Sequence, residues 1–471
     1  MLSVLRNRVY RRLFTAQVIA LTGTGLATVA LSLLAYDLAG AGAPAVLGTA
    51  LAIKMIAYVA ISPAAGALAC RVPRRTLMAA MDLTRAGVAL ALPFVTEIWQ
   101  IHVLIFLLQA ASAVFTPVFQ ATIPEILPEE RDYTRALSMS RLAYDLESLF
   151  SPALAAALLT VVSYDRLFIG TTAGFAASAA LVVSTVLPRP VPAGHSTGDS
   201  AGPGAGHAAR GRSQAAFGAR LFWATPRLRA LLALDLAVAA AGAMVFVNTV
   251  VVVRDHFDRP AAAVSLALGA YGAGSMLTAL LLPRALRRRT DRTVMLPAAF
   301  FLPAVLAAVA ALTGAAPGRW SWYAVPAAWA ALGAACSAVL TPGGRVVRRS
   351  TADSDLPAAY AARFSLSHSC WLLTYPLAGW LAAGAGLPAA AVVLGAISLA
   401  SALAAAAIWP AHDPSRLEHV HPDLPPGHPH LAGARPAPDG RRHGHHYVID
   451  RHHQRWPHPA GAARGRAPRS P

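Results

Sequence analysis

Twelve stretches of about 20 predominantly apolar residues, parted by short gaps that carry arginine, leave this chain of 471 residues few ways to fold. A run of this length crosses a bilayer as a helix, because a helix satisfies its own backbone polar groups where no water can. The runs fall at about 13–36, 46–69, 77–95, 99–121, 136–162 and 167–187, then at 228–252, 262–282, 294–314, 321–341, 362–383 and 387–409. With 56% hydrophobic and 13% charged residues, a soluble chain is excluded. An all-α polytopic membrane protein with twelve transmembrane helices is expected. MLSVLRNRVYRRLF has the basic start of a signal peptide, but the apolar run after it continues to Tyr36 and reads as an uncleaved first span.

Between the sixth and seventh runs, PRPVPAGHSTGDSAGPGAGHAARGRSQ is rich in Pro, Gly and Ser and lacks an apolar period, so it reads as a flexible linker. The chain then divides into a six-helix bundle over 1–187, a linker over 188–227, a second six-helix bundle over 228–409 and a tail over 410–471. Arginine sets the orientation. Arg6, Arg8, Arg11 and Arg12, then Arg71, Arg74 and Arg75, then Arg131 and Arg135 share one side if each run crosses once. Arg284, Arg287, Arg288, Arg289 and Arg292, and then Arg345, Arg348 and Arg349, fall on that same side. The positive-inside rule puts it, both termini and the linker in the cytoplasm, with the protein in the cell's inner (plasma) membrane.

The formal charge of +18 follows this loop pattern, so the lipid bilayer is a partner and nucleic acid is not. Three separated cysteines (Cys70, Cys336, Cys370) form no disulfide framework. No GxxxxGK[ST] loop, HExxH motif or nucleophile constellation is present, so neither an ATP motor nor an enzyme is expected, and no cofactor is implied. The protein is expected to work as a monomer.

Charges inside the apolar runs are the functional candidates, since each costs about 2.5 kcal/mol or more in a bilayer unless it faces protein or water. RLAYDLESLFSP places Arg141, Asp145 and Glu147 in the fifth span. Arg141 and Asp145 are four apart and can pair along one helical face, whereas Glu147 needs another partner. Lys54, the only lysine, lies about 13 Å below the outer surface in span two, and Glu147 comes to a similar depth. A Lys54 bridge to Glu147 or Asp145 is therefore expected, either exchanging a proton during transport or standing as a permanent structural salt bridge. Asp235 is deep in span seven without a neighbouring partner, and Asp37 sits at the outer end of span one. His102 with Gln109 in span four, His368 and Cys370 in span eleven, Asn248, and Thr22, Thr24 and Thr28 offer hydrogen bonds or close packing.

The 66–75 loop, GALACRVPRR, has a basic counterpart in LPRALRRR at 282–289, as a duplicated six-helix unit would leave. It resembles the G-x-x-x-D-R-x-G-R-R signature of the major facilitator superfamily, with Gly66, Arg71, Arg74 and Arg75 in register and Cys70 and Pro73 departing from it. The resemblance covers about 1–409 and implies two rocking bundles with Gly66, Arg71, Arg74 and Arg75 as a gating loop. Ser151-Pro152 resembles a reduced form of the antiporters' Gly-Pro motif. The segments 17–40, FTPVFQATIPEILPEER and SRLAYDLESLFSPALAAALL, with the histidine-rich tail, are similar to the nickel-resistance exporters of that superfamily.

Most of the sixteen histidines lie in the tail: His412, His419, His421, His428, His430, His443, His445, His446, His452, His453 and His458. Proline density and the missing apolar period predict disorder there. Neutral imidazoles suit nickel, zinc and copper, and no spacing matches a closed zinc fold, so a loose multi-site metal buffer is expected. Tyr447-Val-Ile-Asp450 and Trp456 predict that a little of the tail docks. The resulting expectation is a proton-coupled efflux antiporter using Lys54, Arg141, Asp145, Glu147 and Asp235. Its cargo is a divalent metal ion such as nickel; the alternatives are a small amphipathic drug and a non-transport metal sensor or scaffold.

Overall fold

The computed structural model describes residues 2–39, 43–69, 71–159, 161–187, 207–318 and 321–411. Of the tail it describes 413, 416–421, 424, 428–431, 433–437, 440–449, 453, 456 and 457. Cys70, the stretch 188–206, His412, His452 and His458 lie outside the described residues, as do the side chains of Thr28, Asp37, Ser151 and Pro152.

Six long helices form the first half: α1 (Arg8–Ala39), α2 (Ala43–Ala69), α3 (Arg74–Ala91), α4 (Ile98–Ile126), α5 (Glu130–Leu159) and α6 (Tyr164–Val183). A further helix, α7 (His207–Ala224), precedes the second half. That half comprises α8 (Pro226–Val251), α9 (Ala261–Ala285), α10 (Asp291–Gly314), α11 (Ala324–Leu340) with its short continuation α12 (Gly343–Arg349), α13 (Leu356–Ala385) and α14 (Leu387–Ile408). Helix ends follow local chemistry. Gln100 Oε1 accepts from the Glu97 amide at 3.2 Å in a capping box that opens α4, and Thr290 Oγ1 accepts from the Thr293 amide at 3.4 Å to open α10. Large apolar side chains such as Leu83, Leu90, Trp99, Phe106, Ile169, Leu277, Phe301 and Leu403 stand exposed on the outer wall. In water such a belt would aggregate; it is the lipid-facing surface.

Within the first half α1 packs on α6, α2 on α4 and α3 on both α4 and α6; within the second, α8 and α10 pack on α14 and α9 packs on α11. The halves meet along α2 with α13 and α5 with α9. Gly66 sits at the first seam, where a Cβ would come within 2.9 Å of the Ala358 Cα.

Two stretches differ from the sequence expectation. Within the 188–227 linker, read as flexible over 188–214, residues 207–224 form α7, which buries Leu221 and Phe222 and lies against α2 and α13. Its apolar positions are too few to announce a helix alone, and the neighbouring helices supply the burial. The tail, expected to be disordered, forms a three-stranded antiparallel sheet over its described residues, β1 (Arg416–His421), β2 (Arg435–Ala437) and β3 (Gly440–His446), in the order β1-β3-β2. Few of its residues are apolar, and what holds it is the bundle: Tyr447 and Ile449, directly after β3, are buried in the core of the second half.

Candidate functional site

Three groups of polar residues stand on this scaffold. At mid-depth, Arg141 Nη2 meets Asp145 Oδ1 at 2.9 Å one helical turn along α5. Ser275 of α9 donates to Asp145 Oδ2 at 2.6 Å and accepts from Arg141 Nε and Nη2 at 3.1 and 3.0 Å. The pair is thus held by a hydroxyl from the opposite half. Lys54 and Glu147 act on one another electrostatically, but among the described residues no ion pair within 4 Å joins them. The Lys54 ammonium lies 5.7 Å from the ring centroid of Tyr58, whose hydroxyl donates to Gln109 Oε1 at 3.0 Å. Across the seam, Phe364 and His368 of α13 stack on the same tyrosine at 5.0 and 4.8 Å. His368 and Cys370 bond back to their own helix, at Phe364 O and Leu366 O, and share no site.

Asp235 is 3% exposed, and neither carboxylate oxygen has a hydrogen-bond partner among the described residues. Its electrostatic neighbour is Arg363. Asn248 donates to Ala378 O at 3.4 Å, a link between α8 and α13. Thr22 and Thr24 donate back along α1 to Val18 O and Ala20 O. A cavity of about 460 Å³ opens between α2, α8 and α13, away from the arginine-rich end; Met55, Phe246, Val247, Leu372 and Tyr375 line it.

At the arginine-rich end the halves are tied shut. Pro342 and the glycines at 343 and 344 interrupt the tenth span and start α12, turning its arginines toward the first half. Arg345 Nη2 is 2.5 Å from Glu130, its Nη1 donates to Thr134 Oγ1 at 2.9 Å, and its Nε is 3.1 Å from Asp291. Arg349 reaches Asp291 at 3.2 Å, and Arg348 donates to Pro128 O at 2.6 Å. The Tyr133 and Tyr360 hydroxyls share a short hydrogen bond across the seam. Gly344 lets α12 lie close here: a Cβ would come within 2.7 Å of Leu137 Cδ2 and 2.8 Å of the Tyr133 hydroxyl, and those side chains would have to move.

The signature-like loop contributes differently. Arg74 pairs with Glu125 at 2.5 Å inside the first half, Arg75 donates to Thr185 O at 3.4 Å, and Gly66 packs on Ala358 of the second half. Sequence reasoning missed Arg345, Glu130, Asp291, Ser275 and the buried pair of Asp82 and Arg85, which Ser178 and the rings of Phe115 and Phe175 enclose. Asp82 and Arg85 stand three apart inside an apolar run, a signal the sequence did carry.

The third group is the tail. In β1 and β3 alternate residues share a face, and His419 pairs directly with His443. His419, His421, His443 and His445 therefore converge, while His446 points the other way. His430, from the short turn Pro429–Leu431, and His453 close over the same face. One ring nitrogen from each of His419, His430, His443, His445 and His453 lies within 4.8 Å of all the others. His428 stacks 6.4 Å from His430, at the edge of the group. Burial first, and the neighbouring imidazoles after it, push His419 and His421 down to about 4 from 6.5, so both are neutral at pH 7, the form an imidazole needs to hold a metal. The donor set, imidazole without thiolate or carboxylate, fits a transition-metal dication and not calcium or magnesium.

Two six-helix halves meeting at a seam, with charges held inside it and one end tied shut, are the architecture of a membrane transporter. The sequence profile of the Major Facilitator Superfamily matches residues 13–327, and the chain belongs to that family. The chain is 30% identical over 131 residues to the MFS-type transporter YfiS of Bacillus subtilis (strain 168), an alignment covering 28% of this chain and 31% of that protein. It is 29% identical over 125 residues to macrolide efflux protein A of Streptococcus pyogenes, covering 26% of this chain and 31% of the relative. Each alignment thus spans about a third of the relative. Its fold is similar to the human organic anion transporter MFSD10 (TETRAN), with TM-score 0.68 and 14% identity over 84% of this chain and 99% of that one. A bacterial homologue of the iron transporter ferroportin, outward-facing, matches with TM-score 0.63 and 13% identity over 85% and 98%.

Proposed function

We propose that the protein is a proton-coupled exporter that moves a divalent transition-metal cation, nickel first, out of the cytoplasm by alternating access. The carrying observation is an imidazole cluster on a sheet whose opposite face, through His446, borders the Arg345 to Glu130 closure at the arginine-rich end. That end is cytoplasmic by its arginine content. A cation held there waits where an exporter must load.

Coupling belongs to the mid-depth charges. Asp145 pairs with Arg141 of its own half and accepts from Ser275 across the seam, so rocking of the halves removes a partner from the carboxylate. A carboxylate that gains and loses partners between two states binds and releases a proton between them. Lys54 with Glu147, and Asp235, which has no hydrogen-bond partner among the described residues, are the other acid-base groups inside the spans. A second reading, export of an amphipathic organic molecule, is supported by the apolar, aromatic cavity at Met55, Phe246 and Tyr375 and by the macrolide efflux relatives. Accumulation of radioactive nickel, compared with a fluorescent amphipathic drug, in cells with and without the protein separates the two. Lower nickel accumulation that depends on a pH gradient and on Asp145 is the expected result. Drug exclusion with nickel unaffected overturns the metal reading.

A further inference from the structure

We infer that the tail holds one divalent transition cation in a single folded site formed by His419, His430, His443, His445 and His453, and that filling this site fastens the sheet onto the closed gate. The inference deepens the metal-export reading and rests on it for its physiological use; the site itself is argued from geometry.

The Nε2 atoms of His419 and His453 are 2.9 Å apart, those of His419 and His443 3.2 Å, and those of His430 and His453 3.2 Å. His421 adds contacts of 3.0 Å to His419 and 3.2 Å to His430. Each such nitrogen carries one proton or one lone pair, yet His419 Nε2 faces three others, and a hydrogen-bond network among these rings cannot satisfy all of them. A shared cation can. Donor atoms at about 2.0 to 2.1 Å from one ion stand about 2.9 Å apart in octahedral and about 3.3 Å apart in tetrahedral geometry. The five separations just given fall in that interval, and one ring nitrogen from each of the five ligands, His445 included, lies within 4.8 Å of the others. Multi-site buffering would instead leave the histidine pairs spread along the chain.

The ligands come from two strands, a turn and a segment 34 residues beyond β1's first ligand, so an ion closes 419–453 as one loop. Tyr447 transmits this to the bundle. Its ring lies 4.8 Å from His419, 4.6 Å from His453 and 5.2 Å from Trp456. Trp456 in turn stacks on Arg227, 5.1 Å away at the start of α8, and Arg227 donates to Tyr447 O at 3.5 Å and pairs with Asp413 at 3.5 Å. On the opposite face of the sheet His446 lines a pocket with Pro128, Glu130, Tyr133, Arg345, Arg348 and Arg349, the residues that close the gate. An ion that fixes β3 therefore fixes His446 against both halves.

The test is equilibrium dialysis of nickel and zinc against the full chain in lipid nanodiscs, with hydrogen exchange of 343–350 read in parallel. About one tightly held ion per chain is expected. Together His419→Ala and His453→Ala should weaken binding by at least about 10- to 100-fold, while His412→Ala with His458→Ala leaves it unchanged. Metal should slow exchange at 343–350 in the wild type and not in the His419/His453 variant. Several ions of graded affinity, equal losses from both variants, or exchange at 343–350 indifferent to metal overturns the inference. The arms separate it from the cargo assignment: a single tight site in a protein that exports no nickel removes the cargo and keeps the site, and nickel export untouched by the His419/His453 variant with no tight site does the reverse.

Discussion

Replacing Arg345 separates two things a gate residue can do. Arg345 is 9% exposed and its guanidinium bonds to both halves, so Arg345→Gln removes interactions of two kinds. Glu130 carries a side chain that is 61% exposed, and its ion pair contributes no more than about 1 kcal/mol. The bond to buried Thr134 has a charged donor and contributes about 1.5 kcal/mol. Both cross the seam and exist only while this end is closed. Their joint loss of about 2 kcal/mol lowers the closed-to-open ratio about 30-fold. Asp291 lies on α10 in the same half as Arg345, so its pair persists in either state and supports stability instead. Leaving that 1% exposed carboxylate with Arg349 alone costs about 3 kcal/mol, the low end for a broken buried pair. Glu130→Gln removes only the exposed, seam-crossing pair, giving up to about a fivefold shift and no loss of melting temperature. Distances between spectroscopic probes at positions 129 and 288 in nanodiscs, with thermal melts alongside, read both effects. The reasoning fails if Arg345→Gln leaves the distance distribution unchanged, or if Glu130→Gln lowers the melting temperature as far as Arg345→Gln does.

Asp235→Asn removes a buried charge that has no hydrogen-bond partner among the described residues, so the melting temperature should rise, by about 1 kcal/mol or more of stability. If Asp235 couples protons, the same variant loses pH-gradient-driven transport; a variant no more stable and fully active refutes both parts. Gly66→Val brings side-chain atoms onto the Ala358 backbone, which cannot rotate away, so α2 and α13 must part. Probe distances at the arginine-rich end should lengthen in that variant, and unchanged distances would contradict the close approach.

The fold was legible in the sequence because a bilayer imposes one rule on every span: enough apolar residues in a row to cover the hydrocarbon as a helix. The run at 387–409 is α14, and 294–314 closely matches α10. Arg141 and Asp145, four apart on one helix, were legible for the same local reason. What pairs across helices was not. Arg345 meets Glu130 at a sequence separation of 215 residues, and Ser275 meets Asp145 at 130. Neither distance leaves a periodic trace. In the tail the sequence supplied eleven imidazoles and the spacing of two that strands turn into a shared face, but its composition argued for disorder. Tertiary structure decided otherwise, because burial of Tyr447 and Ile449 in the second bundle provides the apolar contact that the tail's own residues lack.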